Sequence, residues 1–225
     1  MTALQRLFGG QLPDLVMFDL DGTLVDSVPD LAAAVDQLLA QRGRPAAGVG
    51  RVRDWVGNGA EVLVRRALAD SVEYAQVDDA EAAEALADFL QAYADQHGGT
   101  TVYSGVRECL AWLQTHKVPM AVVTNKPERF VGPLLAELQL GPFQWVIGGD
   151  TLPVQKPDPA ALLQVMREAG VGAAQSLLIG DSRNDVLAAR AAGVKVIAVS
   201  YGYNYGCPVA QENPDLLVDS LDSLI

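Results

Sequence analysis

The 225-residue chain carries 28 acidic against 16 basic side chains, a net charge of −12 that excludes nucleic acid and anionic membrane surfaces as partners. Half of its residues are hydrophobic and 20% are charged, so it has the apolar content of a full core rather than of a disordered chain. No apolar run approaches the ~20 residues of a transmembrane helix. The opening residues, MTALQRLFGGQLP, lack the continuous apolar stretch of a signal peptide. Cys109 and Cys207 show neither C-x-x-C nor zinc spacing. Two free thiols in a reducing cytoplasm are the expectation.

In chain order, Leu15-Val16-Met17-Phe18 predicts a strand buried on both faces. It runs straight into Asp19 and Asp21, separated by one leucine, and Gly22 then gives the backbone freedom for a sharp turn. Two carboxylates at the mouth of a buried strand are costly unless a cation lies between them. A bound metal, with one carboxylate attacking a substrate, is therefore expected. Pro29 and Asp30 open a helix with Leu31, Val35, Leu38 and Leu39 on one stripe, closed by Gly43. A short helix is expected over 51–56, a break at Gly57-Asn58-Gly59, a helix with Val64, Ala67 and Leu68, and another over 80–96. Nothing strand-like lies between 28 and 98, which marks an all-helical insertion of about 70 residues.

From Tyr103 the pattern alternates. Val106, Leu110 and Leu113 give a helix face, and 120–124 a strand. Leu134, Leu135 and Leu138 give a helix, and 145–147 a strand. Asp158 is expected to cap a helix that starts at Pro159 and carries Leu162, Leu163 and Met166. A strand over 176–180, a helix over 185–192 closed by Gly193, a strand over 195–199 and a last one at 216–218 complete the series. Strands spaced by helices require parallel crossovers, so the fold class is α/β: a Rossmann-like, doubly wound parallel sheet. The core is expected from 1–28 and 99–225, with the helical cap at 29–98.

In such a sheet, ligands bind outside the carboxyl ends of the strands. Those ends carry Asp19 and Asp21, then Thr124-Asn125-Lys126, then Asp181-Ser182 with Asn184 and Asp185 following; Lys156 lies in a loop after the third strand. Acids, a hydroxyl and a lysine thus converge on one edge.

Taken together, DLDGTLVDS at 19–27, Thr124-Asn125-Lys126, Lys156-Pro157-Asp158 and GDSRND at 180–185 resemble, in order, the four motifs of haloacid dehalogenase-type phosphatases. The likeness runs from Val16 to about Gly206, and the helical insertion is similar to that family's C1 cap. Within the family the chain is most similar to bacterial phosphoglycolate phosphatases, through Trp55-Val56-Gly57-Asn58-Gly59, Thr124-Asn125-Lys126-Pro127 and Gly202-Tyr203-Asn204-Tyr205-Gly206.

The resemblance implies a small-molecule phosphomonoester substrate, 2-phosphoglycolate in the first instance, and a cytoplasmic enzyme. Asp19 would attack phosphorus and form an aspartyl-phosphate, and Asp21 would serve as general acid and base. Lys156, Thr124 and Asn125 would hold the phosphoryl group. Mg²⁺ would sit on the side chains of Asp19 and Asp181 and the backbone carbonyl of Asp21, an oxygen set that suits this hard cation. Asp185 would stand behind them, orienting Lys156 or a metal-bound water. The same residue also reads as a cap for the helix that follows it.

Other readings carry less. Asp26 and Ser27 are expected to stabilise the hinge into the cap, His97 and His116 to lie on the surface, and the Trp and Tyr residues to pack. Six arginines lie between 42 and 66 against two acids, and eight acids with no base follow between 70 and 95. The basic half suggests a site for a second anionic group of the substrate, at Arg65 or Arg66. Most of these arginines, and the acidic helix, read as solvent faces.

The alternatives are a sugar-phosphate phosphatase or phosphomutase of the same superfamily and, from another class, a non-catalytic regulatory module. The last predicts loss of Asp19, Asp21, Lys156 or Asp181, and all four are present. Dehalogenases and phosphonatases of the superfamily lack an acid at the place of Asp21. No G-x-x-x-x-G-K-[ST] is present, which excludes a P-loop. Monomer and homodimer both stay open.

Overall fold

The computed structural model describes residues 1–96 and 98–225. A short helix, α1 (Ala3–Leu7), precedes strand β1 (Leu15–Phe18). The acidic turn leads through β2 (Val25–Asp26) into the helices α2 (Val28–Gln41), α3 (Gly48–Trp55), α4 (Gly59–Ala69) and α5 (Asp79–Ala94). The chain returns through β3 (Thr101–Val102) to α6 (Val106–Thr115), β4 (Met120–Val123), α7 (Glu128–Glu137), β5 (Trp145–Ile147) and α8 (Ala160–Ala169). Then follow β6 (Ser176–Gly180), α9 (Arg183–Ala192), β7 (Lys195–Val199) and β8 (Leu216–Val218).

Six strands form one parallel sheet in the order β5-β4-β1-β6-β7-β8. From β1 the chain winds outward through β4 and β5, then crosses back to build β6, β7 and β8 on the other side. The order reverses between β1 and β6, and that is where an open α/β sheet offers its crevice. Successive residues of β1 face opposite ways. Val16 and Phe18 join a core with Val106, Leu113 and Val131 from α6 and α7, while Leu15 and Met17 join one with Leu162, Val165 and Val186 from α8 and α9. Helices on both faces explain why the strand reads as a continuous apolar run.

Helices α2–α5 enclose a third core, with Val35, Leu38, Val52, Leu63 and Phe89 at its centre and Tyr203, from the loop after β7, packed against it. Asp78 starts α5 by accepting from the amides of Ala80 and Glu81. The two connections between this helical unit and the sheet run antiparallel as β2 and β3, pairing Val25 with Val102 and Asp26 with Thr101. Asp30, at the start of α2, accepts from Gly99 N (2.9 Å), Thr100 N (2.8 Å) and Thr100 Oγ1 (2.6 Å), tying the outgoing chain to the incoming one. Asp26 accepts from the Tyr203 hydroxyl, which in turn accepts from Ser27 N at 3.1 Å. Both residues therefore sit at the junction between the helical unit and the sheet.

Several local features differ from expectation. Strands β2 and β3 are two residues each, too short for any periodicity to register. Helix α3 begins at Gly48 rather than at 51, α5 ends at Ala94 rather than at 96, and α9 begins at Arg183 rather than at 185. Helix ends are where pattern is weakest. Helix α8 begins at Ala160 rather than at Pro159, which takes the N-cap place itself; Asp158, one residue earlier, accepts from Ala160 N at 2.9 Å. His116 is exposed and stacked on Trp112, whereas His97 lies outside the described residues. Among the described residues no helix is long and apolar enough to cross a membrane.

Candidate active site

Asp19 continues β1 by one residue, its amide donating to the Ile179 carbonyl at 2.9 Å. Its Oδ1 accepts from Leu20 N at 2.7 Å and lies 3.0 Å from Lys156 Nζ. The chain then turns back on itself, with Leu24 N and Val25 N both donating to the Leu20 carbonyl. Gly22 takes φ +88° in this turn, and a Cβ there would run into the Asp181 carboxylate and the Tyr203 ring. Only glycine meets both demands.

Across the reversal point, Asp181 follows directly on β6. Its Oδ1 accepts from Thr23 Oγ1 at 2.9 Å and its Oδ2 from Tyr203 N at 2.6 Å. Gly202 closes over it so tightly that a Cβ would strike the carboxylate. Asp185 sits in the first turn of α9. Its Oδ2 accepts from Ser182 Oγ (2.7 Å), Ser182 N (3.1 Å) and Asp181 N (3.3 Å), while its Oδ1 accepts from Lys156 Nζ at 2.6 Å. Its two expected roles are thus one arrangement: the same carboxylate caps α9 with one oxygen and holds Lys156 with the other.

Asp19, Asp181 and Asp185 each bring a carboxylate oxygen within 4.8 Å of the others. Burial, opposed by Lys156 and reinforced by Asp185, pushes the Asp19 carboxyl up to about 6. Asp181 is driven well above the usual carboxylate range by burial first, then by Asp19 and Asp185. Burial works to strip the proton from Lys156, yet the facing carboxylates outweigh it and hold the ammonium charged. Lys126 is held charged in the same way by Asp21 and Tyr93. Four carboxylates thus face two ammonium groups among the described residues. A divalent cation would cancel the excess, and the all-oxygen donors suit a hard one. The residues fit a metal site, with Asp185 the least available because its oxygens are already engaged.

Thr124 and Lys126 extend from the end of β4. The Thr124 hydroxyl accepts from Lys126 N at 3.2 Å, which leaves its own hydrogen to donate. Asn125 lines the cavity, and its side-chain amide is tied to the main chain. Nδ2 donates to the Gly57 and Lys156 carbonyls, each at 2.9 Å. Asn184 also donates to Gly57 O, at 3.0 Å, and Gln155 Nε2 donates to Asn58 O at 2.8 Å. The Asn125 side-chain amide thus clasps the Gly57 loop to the sheet edge, while its Oδ1 has no partner among the described residues.

Lys126 was not among the expected site residues, and the structure brings it in. Its Nζ lies 3.1 and 3.2 Å from the two oxygens of Asp21 and 2.6 Å from Tyr93 Oη on α5. A cavity of about 50 Å³ separates the cap from the sheet edge, floored by Asp19, Asp21 and Thr124 and roofed by Leu63 and Phe89. At roughly 10–15 Å³ per water, it suits a substrate with few atoms.

Arg65 and Arg66, expected as readers of a second anionic group, line no part of this cavity. Arg65 is held on the outside of α4 by Glu61 (3.0 Å) and Asp79 (2.8 Å). Arg66 is buried, donates to Trp55 O at 2.7 Å and lies near the rings of Tyr74 and Tyr205. Arg42, Arg44 and Arg51 pair with Asp88, Glu81 and Asp70, so the basic and acidic halves of the cap neutralise each other at its surface.

A model of the haloacid dehalogenase-like hydrolase family matches residues 16–199, the span from β1 through β7. The chain belongs to that family. It is 61% identical, over its full length and 83% of the relative's, to a phosphoglycolate phosphatase of Pseudomonas syringae pv. syringae, and 63% identical over the same shares to one of Pseudomonas fluorescens. Among solved structures it is similar to a predicted phosphoglycolate phosphatase from Haemophilus somnus, with a TM-score of 0.85, 37% identity and coverage of 93% of this chain and 95% of that one.

Proposed function

We propose that this hydrolase is a Mg²⁺-dependent phosphatase that cleaves 2-phosphoglycolate to glycolate and phosphate in the cytoplasm, with residues 29–98 acting as its cap. The observation that carries the reading is the pair Asp19 and Asp21 at the floor of a small cleft, beside a buried lysine and two further carboxylates. The identity of about 60% with curated phosphoglycolate phosphatases supports the substrate.

Asp19 attacks phosphorus as Asp21 gives a proton to the leaving glycolate oxygen; Asp21 then takes a proton from the water that cleaves the aspartyl-phosphate. Lys156 and the Thr124 hydroxyl meet the phosphoryl oxygens, where charge must be balanced for two anions to approach. The Asp19 and Asp181 side chains and the Asp21 carbonyl would hold Mg²⁺, which would supply electrostatic stabilisation of the phosphoryl charge. Asp185 fixes Lys156 from behind, and the cap keeps bulk water out.

The test is kcat/KM across 2-phosphoglycolate, hexose phosphates, nucleotides and pyrophosphate. A clear preference for phosphoglycolate is expected. A preference for a sugar phosphate would put the related sugar phosphatases in its place, and no turnover of any ester would leave the regulatory reading.

A further inference from the structure

The geometry points to Lys126, seconded by the Tyr93 hydroxyl, as the group that reads the substrate's carboxylate and so sets a preference for phosphomonoesters carrying an acid next to the ester carbon. This deepens the phosphoglycolate reading and rests on it.

A carboxylate entering the cavity needs a cation. Lys156 is held at the phosphoryl end by Asp19 and Asp185 and lines no part of the cavity, and the cap arginines point to the outer surface or into the cap. Lys126 is the one basic side chain on the cavity wall among the described residues, and it is 5% exposed, where water screens its charge little. An ammonium has three donors. One bifurcated hydrogen suffices for the two Asp21 oxygens and Tyr93 Oη takes a second, which leaves a third that can serve a ligand. Because Tyr93 accepts from Lys126, its own hydroxyl hydrogen points elsewhere, and it has no acceptor among the described residues. Two neighbouring donors are thereby offered to a single anionic group.

The spacing selects which anion. Asp21 must touch the leaving oxygen to protonate it. In phosphoglycolate the carboxylate carbon lies two bonds beyond that oxygen, and Lys126 Nζ lies one hydrogen bond beyond Asp21. Most of the remaining wall is apolar, with Leu63, Phe89 and Phe130, and Asn125 Oδ1 is its one unpartnered side-chain acceptor among the described residues, so most hydroxyls of a sugar would enter without partners.

The experiment compares kcat/KM for 2-phosphoglycolate and ethyl phosphate, which has a methyl group in place of the carboxylate, in the unaltered enzyme, Lys126→Met and Tyr93→Phe. In K126M, phosphoglycolate turnover should fall by about 10²–10³ and ethyl phosphate by about tenfold, so that the preference collapses. Y93F keeps the lysine and guards against a K126M chain that fails to fold; it should raise KM for phosphoglycolate several-fold more than for ethyl phosphate. Equal losses on both esters in either folded variant would overturn the inference, leaving Lys126 as a support for Asp21 alone. If the unaltered enzyme makes no distinction between the two esters, the phosphoglycolate reading itself fails, and the inference with it.

Discussion

The sheet edge and the cap handle charge in opposite ways. At the edge, carboxylates and ammonium groups are buried within hydrogen-bonding distance of one another, and their pKa values move because no water relieves them. On the cap, charges are paired across the outer surface, where solvent screens them, while most of the inner wall is apolar. Reactivity thus comes from charge that cannot escape, and selectivity from a wall that offers one cationic contact.

The largest expected effect lies at the edge. Asp19→Asn should leave a folded protein whose turnover is down by about 10⁴ or more; measurable single-turnover hydrolysis at the original rate would remove Asp19 as nucleophile. Next comes the metal. EDTA should stop the reaction and Mg²⁺ restore it.

The raised carboxyls give this a pH signature. With Asp19 near 6 in the native state against 3.8 when unfolded, the metal-free native protein binds more protons over that interval. Its stability should fall as pH rises from about 4 to about 6, and thermal melts with and without Mg²⁺ should converge at the acid end. Calorimetry in buffers of different ionisation heat should detect protons released on Mg²⁺ binding.

A smaller perturbation is Gly202→Ala, whose methyl group must displace Asp181. Mg²⁺ affinity should fall about tenfold, while an unchanged affinity would take Asp181 out of the metal set. Smaller again is the clasp: Asn184→Ala should cost about 1 kcal/mol of cap closure, seen as a several-fold rise in KM. At the bottom, Arg65→Gln on the outer cap should leave the melting temperature and the substrate preference nearly unchanged.

The edge was readable in the sequence because its residues are local to strand ends. A buried strand must show an apolar run, and acids directly after it have nowhere to go but the edge. Lys126 sits beside Thr124 in plain view, but nothing local says that its ammonium meets Asp21, which is 105 residues away. Tyr93 falls on an apolar helical stripe and reads as packing, which it also is. The arginine expectation failed for a reason partly legible in advance: Glu61 lies four residues before Arg65, the spacing of a helical ion pair. Composition shows that a segment is basic, not which side of its helix the charges take.

The clasp across the cavity has a bearing on how such a cap can diverge. Asn125, Asn184 and Gln155 grip the carbonyl oxygens of Gly57 and Asn58, not their side chains. A main-chain acceptor survives almost any substitution that keeps the loop's path. The inner wall is therefore free to drift in size and polarity, and new substrates can be explored, without renegotiating how the lid is fastened to the machinery beneath it.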